Sequence, residues 1–281
     1  MERATARRPP VRVVLAEAAE VADALRQAHG LKDGATQIAT EAALAALLLS
    51  AHAKGRERLT LQLALAVPEA RFIGEIDPDH RFRGRFSPSR LGSEIDPAGL
   101  HGLLLAVKHD EDREVYRGVT AVEGTSIAGA LRVYLRDSAQ LHGVILLDVA
   151  VDDDGRVQRA VAALIERLAP QEGYESLSSE AFAAHFDQVE GVEQLRELVD
   201  GKLAGDPIRI LDRRPVFWGC SCSRSRVLDT LAGLGPDELR AMADEDDGAS
   251  VDCHFCNAHY ELSADELRAL AVADGSQEPA R

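Results

Sequence analysis

The fold class that the sequence predicts is α+β, with one helix buried at the centre of the body and a small module at the C-terminal end. Three observations lead to this prediction. Most strand candidates follow one another between residues 59 and 151 instead of alternating with helices, and one helix is apolar almost all the way round. All four cysteines of the 281-residue chain lie in its last quarter. Successive strands with segregated helices are typical of α+β proteins.

The N-terminal part supplies the first elements of a layered body. Residues 1–10 are basic but too short for a transit peptide, and we expect a frayed tail there. Residues 11–15 form a predicted strand, and a helix over residues 16–29 should end at Gly30, a residue typical of helix C-termini. The next helix, residues 41–52, has no polar face. It should therefore be buried on every side between other layers.

Six strand candidates follow, each bounded by glycine, proline or aspartate turn signals. They cover residues 59–67, 71–76, 81–86, 103–108, 115–122 and 144–151. Helical spacing predicts one helix at residues 127–135 and another at residues 157–168, ended by Pro170. In residues 81–86 the arginines and phenylalanines fall on opposite faces of a strand, which favours a half-buried strand over an RNA-binding surface. The acidic run at residues 152–155 is predicted to be a hairpin turn.

Residues 171–219 differ in character from the body. They carry ten acidic and five basic residues, with two modest helix candidates at residues 179–188 and 191–203. The apolar faces of these helices are narrow, and such marginal helices need a neighbour to stay folded. We therefore predict three parts: a core domain over residues 1–170, a metastable helical linker over 171–219 and a metal-binding module over 220–281.

The cysteines form two close pairs, Cys220 with Cys222 and, thirty residues further on, Cys253 with Cys256. Four thiolates in a tetrahedral array suit Zn²⁺ better than any other abundant ion, so this spacing predicts one zinc ion held by all four. Helix starts are predicted at three nearby positions: Ser223, Pro236 and Ser263. Because the module is short and poor in apolar side chains, we expect it to need its metal in order to fold.

Charge and hydropathy narrow the function. The net charge of the chain is −15, and residues 220–281 account for −8 of it, so we expect no nucleic-acid partner. There is no secretory signal and no apolar run near the roughly 18 residues of a membrane span, which predicts a cytoplasmic protein without a membrane partner. A phosphate-binding P-loop is absent, and residues 123–129 fit a helix start better than a nucleophile elbow. Neither a nucleotide-binding P-loop nor a serine-hydrolase elbow is therefore supported.

Zinc held by four thiolates is structural in most proteins, yet three features favour a redox role here. A disulfide between Cys220 and Cys222 would close a small, strained ring that is easily reduced. A helix start after Cys222 and a group of nearby basic residues both favour the thiolate, the form that oxidants attack. These basic residues are Arg213, Arg214, Arg224 and Arg226. The third feature is the adjoining linker, whose independent stability is doubtful.

The sequence resembles the redox-regulated 33 kDa heat-shock chaperonin family. The resemblance is densest over residues 217–226, 234–239 and 253–260, and it continues more weakly through residues 59–62, 134–140 and 157–168. It implies a three-layer β/α/β body with a buried central helix. It also implies an ATP-independent holdase and not an enzyme. Its partners would be unfolded or partly unfolded client proteins, and it could form a homodimer when oxidised.

The same resemblance implies a switch at the cysteines. In the reduced state Cys220, Cys222, Cys253 and Cys256 would hold one zinc ion while the chaperone is idle. Peroxide or hypochlorite, together with heat, would produce the disulfides Cys220–Cys222 and Cys253–Cys256 and release the metal. Two other functions stay open: a zinc-stabilised adaptor with no redox response, and a thiol oxidoreductase that uses Cys253 and Cys256. The second class normally sets its cysteines on a βαβ scaffold, which the sequence does not indicate.

Overall fold

The chain divides into two compact units, Met1–Gly219 and Cys220–Arg281. A computed structural model describes residues 1–92, 95–168, 178–186, 188–203 and 205–274. The sequence expectations for residues 169–177 therefore lie outside the described residues. No helix in the described ranges is long and apolar enough to cross a membrane.

The first unit consists of two sheets with helices between them. Its strands in chain order are β1 (Glu2–Arg7), β2 (Pro10–Glu17), β3 (Lys32–Asp33), β4 (Glu57–Val67), β5 (Glu69–Ile76), β6 (Arg81–Ser87), β7 (Arg90–Leu91), β8 (Leu100–Asp110), β9 (Arg113–Thr125), β10 (Gly143–Val151), β11 (Val157–Arg167), β12 (Arg209–Arg213) and β13 (Phe217–Trp218). Its helices are α1 (Ala19–His29), α2 (Gly34–Ser50), α3 (Ile127–Asp137), α4 (Ser179–Phe186) and α5 (Val192–Leu203). One sheet has the order β10-β11-β2-β1-β12, the other β13-β6-β5-β4-β8-β9, and β3 pairs with β7 alone.

Helix α2 is the centre of the body, as predicted. It contacts β2, β10 and β11 of the five-stranded sheet and β4, β5 and β6 of the six-stranded sheet. Fourteen of its 17 residues are buried, so the helix has no face in water. Helices α1 and α3 lie in the same middle layer and contact strands of both sheets. The predicted α+β class with a three-layer β/α/β body is therefore confirmed.

The strand predictions within residues 59–151 are confirmed, with somewhat longer strands than expected. In β6 the rings of Phe82 and Phe86 are buried, while Arg83 on the opposite face pairs with Glu75 of β5 at 2.6 Å. The acidic run is a hairpin turn in which the Gly155 N–H donates to the Asp152 carbonyl at 2.9 Å. At the start of α3, Ser126 accepts the N–H of Gly129 at 3.2 Å, which confirms the predicted helix start.

The helix predicted at residues 157–168 is wrong, because this segment is strand β11. It lies between β10 and β2, so both of its edges are paired. Ala160, Ala162 and Leu164 face the helical layer, whereas the alternate residues face the outer side of the sheet and are equally buried. A continuous apolar run of this kind fits a helix or a doubly covered strand equally well by periodicity.

The frayed tail predicted at residues 1–10 is also wrong. Residues 2–7 form β1, which pairs with β2 on one side and with β12 on the other. Ala4 and Ala6 are buried, and Glu2, although charged, is only 4% exposed. Ion pairs with Arg196 and Arg213 compensate the burial of the Glu2 carboxylate. These partners lie about two hundred positions away, so local composition gives no sign of them.

Both helices predicted in residues 171–219 are present, as α4 and α5, and both cover the outer face of the five-stranded sheet. Their buried side chains are Phe182, Phe186, Leu195, Val199 and Leu203, and Val189 between the helices is buried with them. They pack on a face made of Val11, Val13, Leu15, Val144, Leu146, Val161, Ala163, Ile165 and two alanines of β1. The neighbour that these marginal helices require is therefore this sheet.

The second unit is a small α+β module. Its elements are α6 (Arg224–Ala232), α7 (Pro236–Glu245), β14 (Gly248–Asp252), β15 (His259–Ser263) and α8 (Ala264–Asp274). The predicted helix starts are confirmed: Ser223 accepts the N–H of Arg226, Pro236 opens α7, and Ser263 exchanges hydrogen bonds with Glu266. The buried residues of its described part are leucines and alanines: Leu231, Leu239, Ala243, Leu262, Ala264, Leu267 and Ala271.

Candidate metal centre

The four cysteine thiols of the second unit converge on one point. All four sulfur atoms lie within 4.8 Å of one another, and all four residues are free and half-buried. The Sγ atoms of Cys220 and Cys253 are 3.6 Å apart, and those of Cys222 and Cys256 are 3.3 Å apart. The fold therefore brings together two pairs that are separated by thirty residues in the sequence.

Local backbone structure positions each pair. Cys220 and Cys222 lie in the extended segment just before α6, whose first turn is capped by Ser223. Cys253 and Cys256 lie in the tight connection between β14 and β15. There the Cys253 N–H donates to the Ala258 carbonyl at 2.9 Å, and the Cys253 carbonyl accepts the N–H of Asn257 at 2.8 Å. Asn257 has a φ of 58°, and asparagine tolerates this left-handed conformation better than most residues.

The sulfur positions fit a tetrahedral ion bound through four thiolates. Zn–S bonds of about 2.3 Å place neighbouring sulfurs of a regular tetrahedron about 3.8 Å apart. The Sγ–Sγ separations of 3.3 and 3.6 Å are far longer than a disulfide bond of about 2.05 Å. All four thiols are thus positioned to hold one metal ion. In a tetrahedral cluster every sulfur neighbours every other, so these distances favour no particular disulfide pairing.

The thiols differ in acidity. Burial opposes the ionisation of Cys253, but the backbone N–H groups of Cys256 and Phe255 stabilise its thiolate and lower the pKa of Cys253 to about 7. Burial raises the pKa of Cys256, and the neighbouring thiol of Cys222 raises it further. Burial likewise raises the pKa of Cys220. In the metal-free chain Cys253 is therefore more acidic than Cys220 and Cys256, and a bound cation would favour the thiolate form of the cysteines that hold it.

The arginines that the sequence suggested as thiolate neighbours are engaged elsewhere. Arg213 pairs with Glu2 and Arg214 with Asp212, both in the first unit. In the second unit Arg224 donates to the Glu261 carbonyl and pairs with Glu266, while Arg226 donates to the Ser221 carbonyl at 2.9 Å. The prediction that these charges lower the pKa of the first cysteine pair is not supported, because burial raises the pKa of Cys220.

One polar neighbour of the thiols is absent from the sequence-based expectations. The Tyr260 hydroxyl donates to the Cys222 Sγ at 3.2 Å, and this hydrogen bond raises the pKa of Tyr260 to about 12. The spacing of the cysteines alone could not show which side chain of β15 would reach the thiols. His259, next to Tyr260 on β15, contacts Asp252 at 2.6 Å and Glu261 at 3.4 Å.

The comparisons with known proteins agree with the fold and the cysteine cluster. A family model described as Hsp33 protein matches residues 1–263. The 33 kDa chaperonin of Geobacter sulfurreducens is 31% identical over 264 residues, covering 89% of this chain and 87% of its own. That of Syntrophotalea carbinolica is 29% identical over 274 residues, covering 92% and 94%. A crystal structure of the 33 kDa chaperonin from Thermotoga maritima matches with a TM-score of 0.77 and 22% identity, covering 95% of each chain. From the family match along nearly its whole length, the chain belongs to the Hsp33 family.

Proposed function

We propose that this chain is an ATP-independent holdase, idle when its four cysteines are reduced and bound to Zn²⁺, and active when they are oxidised. The observation that carries the proposal is the convergence of four free thiols within 4.8 Å in a unit with a very small apolar core. When bound, the zinc ion would cross-link Cys220, Cys222, Cys253 and Cys256 and so stabilise the fold of the second unit. The curated relatives bear the name 33 kDa chaperonin, which supports the chaperone assignment.

The proposed activation is a two-electron oxidation at each cysteine pair. Two thiols transfer two electrons to one molecule of peroxide, giving a disulfide and two molecules of water. The pairs are Cys220–Cys222 and Cys253–Cys256, so full oxidation of one chain consumes two molecules of peroxide. Disulfide sulfurs no longer provide thiolate ligands.

Loss of the metal cross-link should unfold the second unit. Its core consists of seven buried leucines and alanines, without a buried aromatic ring among the described residues. Binding of a structural zinc ion by such small modules typically contributes about 10–16 kcal/mol at neutral pH. A whole domain is usually stable by only about 5–15 kcal/mol. The stability of this unit therefore depends on the metal more than on its apolar contacts.

The apolar surface that would bind clients lies under α4 and α5 in the first unit. The face that they cover contains ten buried aliphatic residues of β1, β2, β10 and β11. If these helices detach, that face and the apolar faces of the helices become accessible to other proteins. We therefore assign residues 1–170 as the client-binding core, residues 171–219 as a linker that covers it, and residues 220–281 as the switch. Detachment following the unfolding of residues 220–281 is part of this proposal.

The remaining assignments follow from charge and composition. A net charge of −15 disfavours nucleic-acid partners, and the clients are unfolded or partly unfolded proteins. We assign the chain to the cytoplasm, where thiols stay reduced until oxidative stress. It acts by binding and not by catalysing a reaction, and homodimerisation would accompany oxidation.

The decisive experiment measures zinc release and suppression of client aggregation in the same samples. The reduced, zinc-loaded chain is treated with peroxide at elevated temperature, and free zinc is followed with a chromophoric chelator. Aggregation of a thermally unfolding client is followed by light scattering. We expect one zinc ion per chain to be released as activity appears, and both changes to reverse with a dithiol reductant. Mass spectrometry of the oxidised chain checks the two disulfides.

Two variants complete this experiment. Cys253→Ser should bind zinc weakly and lose the oxidant response, whereas Ser250→Ala, on the neighbouring strand and outside the cluster, should behave as the unmodified chain. Zinc retention under peroxide would instead indicate a structural-zinc adaptor. Turnover of disulfide substrates by Cys253 and Cys256 would indicate a thiol oxidoreductase. Full chaperone activity of the reduced, zinc-loaded chain would overturn the proposed switch.

A further inference from the structure

A basic cavity opens in the first unit, well separated in sequence from the cysteines. It has a volume of about 510 Å³ and lies where the C-terminal ends of α2 and α3 meet strands of both sheets. Its basic lining residues are Arg3, Arg12, His52, Lys54 and Lys108, and no aspartate or glutamate lines it among the described residues. This concentration of positive charge occurs in a chain whose net charge is −15. Volumes of about 300–1,000 Å³ are typical of small-molecule sites.

Neighbouring carboxylates neutralise only part of this charge. Asp212 pairs with Arg3, and the fully buried Glu166 pairs with both Arg12 and His52. In the described chain, neither Lys54 nor Lys108 forms an ion pair with a carboxylate of its surroundings. Burial lowers the pKa of Lys108, and the positive charges of Lys54 and Arg12 lower it further against the opposing effect of Glu57. The ammonium groups of Lys54 and Lys108, which both line the cavity, thus lack a direct counter-ion.

The cavity also has donors in fixed positions. The Lys108 Nζ donates to the His52 carbonyl at 3.1 Å and lies 5.6 Å from the centre of the Tyr116 ring. This holds the ammonium in place and leaves two of its three N–H donors for a ligand. The Tyr134 hydroxyl donates to the Tyr116 hydroxyl at 3.1 Å, so the Tyr116 O–H can donate onward.

Apart from Ser138, the rest of the lining is apolar. It includes the side chains of Leu49, Leu59, Leu135 and Leu141, together with alanines after α2 and α3. A bare inorganic ion would leave this part of the wall without a partner, whereas an organic group would bury it. A phosphate monoester carries up to two negative charges, which matches the two ammonium groups better than a single carboxylate does.

We propose that this cavity binds a small phosphorylated organic molecule, with its phosphate at Lys54 and Lys108 and its organic body against the leucines. The function proposed for the cysteines does not depend on this site. The competing role for Lys108 is to neutralise the carbonyl groups at the C-terminal end of α2, where cations are favourable. That role requires no ligand, and the two roles give different results in a binding experiment.

Phenyl phosphate is a suitable probe, tested by calorimetric titration of the reduced, zinc-loaded full chain. Inorganic phosphate tests the anion alone, benzoate tests a carboxylate on the same ring, and benzyl alcohol tests the ring without charge. We expect saturable binding of one phenyl phosphate per chain, at least tenfold tighter than inorganic phosphate or benzoate, and no binding of benzyl alcohol. Affinity should fall as salt is added, because the contacts are ionic.

Lys108→Met removes the charge and keeps most of the aliphatic stem, and we expect it to weaken phenyl phosphate binding at least tenfold. Lys54 is exposed, so Lys54→Met should leave the fold undisturbed. It removes the second proposed phosphate contact and should weaken phenyl phosphate binding severalfold. Lys32→Met is the matched control, since Lys32 is exposed and outside the cavity. Melting temperatures verify folding of each variant.

Several results would overturn the proposal. Absence of saturable binding, with a lowered melting temperature for Lys108→Met, would assign Lys108 to neutralising the end of α2 alone. Binding that survives both Lys108→Met and Lys54→Met would place the ligand elsewhere. Equal affinity for inorganic phosphate and phenyl phosphate would show that the organic part of the ligand contributes nothing to binding. Tighter binding of benzoate would show that the site prefers a carboxylate to a phosphate.

Discussion

Replacing Leu195 by alanine should make the reduced chain a holdase without any oxidation. Leu195 on α5 is fully buried against the outer face of the five-stranded sheet. Truncating a buried leucine to alanine costs about 2–5 kcal/mol, and each 1.4 kcal/mol changes a population tenfold. If the whole cost falls on the docking of α5, the detached population rises by about 30-fold to about 4,000-fold.

Two measurements on the zinc-loaded, reduced variant test this prediction. Amide hydrogen exchange over residues 192–203 should accelerate, because the helix spends more time away from the sheet. In parallel, aggregation of a thermally unfolding client should be suppressed before any peroxide is added. The unmodified reduced chain should show neither effect.

The matched control is Leu131→Ala in α3. Leu131 is also fully buried, but it packs in the helical layer between the sheets and not under α4 and α5. It should lower the melting temperature by a similar amount without activating the chain. If Leu131→Ala activates the chain equally, general destabilisation and not exposure of the covered face produces activity. Faster exchange in Leu195→Ala without chaperone activity would refute the assignment of this face to clients.

Three further predictions concern single groups. In the metal-free chain, alkylation of Cys253 should rise with pH and reach half its maximum near pH 7, because the thiol is protonated and unreactive below its pKa of about 7. Mass mapping of alkylated peptides measures this midpoint, and a midpoint near the ordinary thiol pKa would contradict the prediction. Tyr260→Phe removes the hydrogen bond to Cys222 and should weaken zinc binding by about 10–100-fold in a chelator competition, while an unchanged affinity would make the contact incidental. Burial opposes the ionisation of Glu166, yet hydrogen bonds from His52 and then Arg12 hold the pKa of Glu166 below its ordinary value. The ionised carboxylate therefore stabilises the fold above the unfolded-state pKa, and this stabilisation is lost as the pH falls through the folded-state pKa. Glu166→Gln should therefore cost about 3–5 kcal/mol of stability at neutral pH, with a smaller difference in acid, as measured by denaturant unfolding.

The parts of the structure that the sequence predicts well are those fixed by local pattern. Helix α2 was expected to be buried because its composition leaves no polar face, and the position of the cysteines follows from the short spacing within each pair. Helix starts at Ser223 and Ser263 were predictable for the same reason, since a capping side chain acts within three residues of itself.

The sequence predictions are wrong where contacts with residues far away in the sequence determine the local structure. Strand β11 has an apolar run that suits a helix, and only its position between β10 and β2 makes it a strand. Residues 2–7 become β1 because β12, at residues 209–213, supplies the second edge partner. Arg213 and Arg214 precede Cys220 closely in sequence but pair with carboxylates of the first unit. In each case the deciding contact is non-local, and no window of neighbouring residues contains it.

The same non-local contacts explain how a segment of marginal helices can cover a large apolar face and still be releasable. Glu2 on β1 is nearly buried and pairs with Arg196 of α5 at 3.0 Å and Arg213 of β12 at 2.9 Å. One carboxylate of β1 thus pairs both with helix α5 and with the neighbouring strand β12. Only the Arg196 pair joins the covering helices to the sheet, so the apolar contacts of α4 and α5 are the larger part of their attachment. Those contacts come from six buried side chains, few enough for the segment to detach while the doubly covered strands beneath it stay paired.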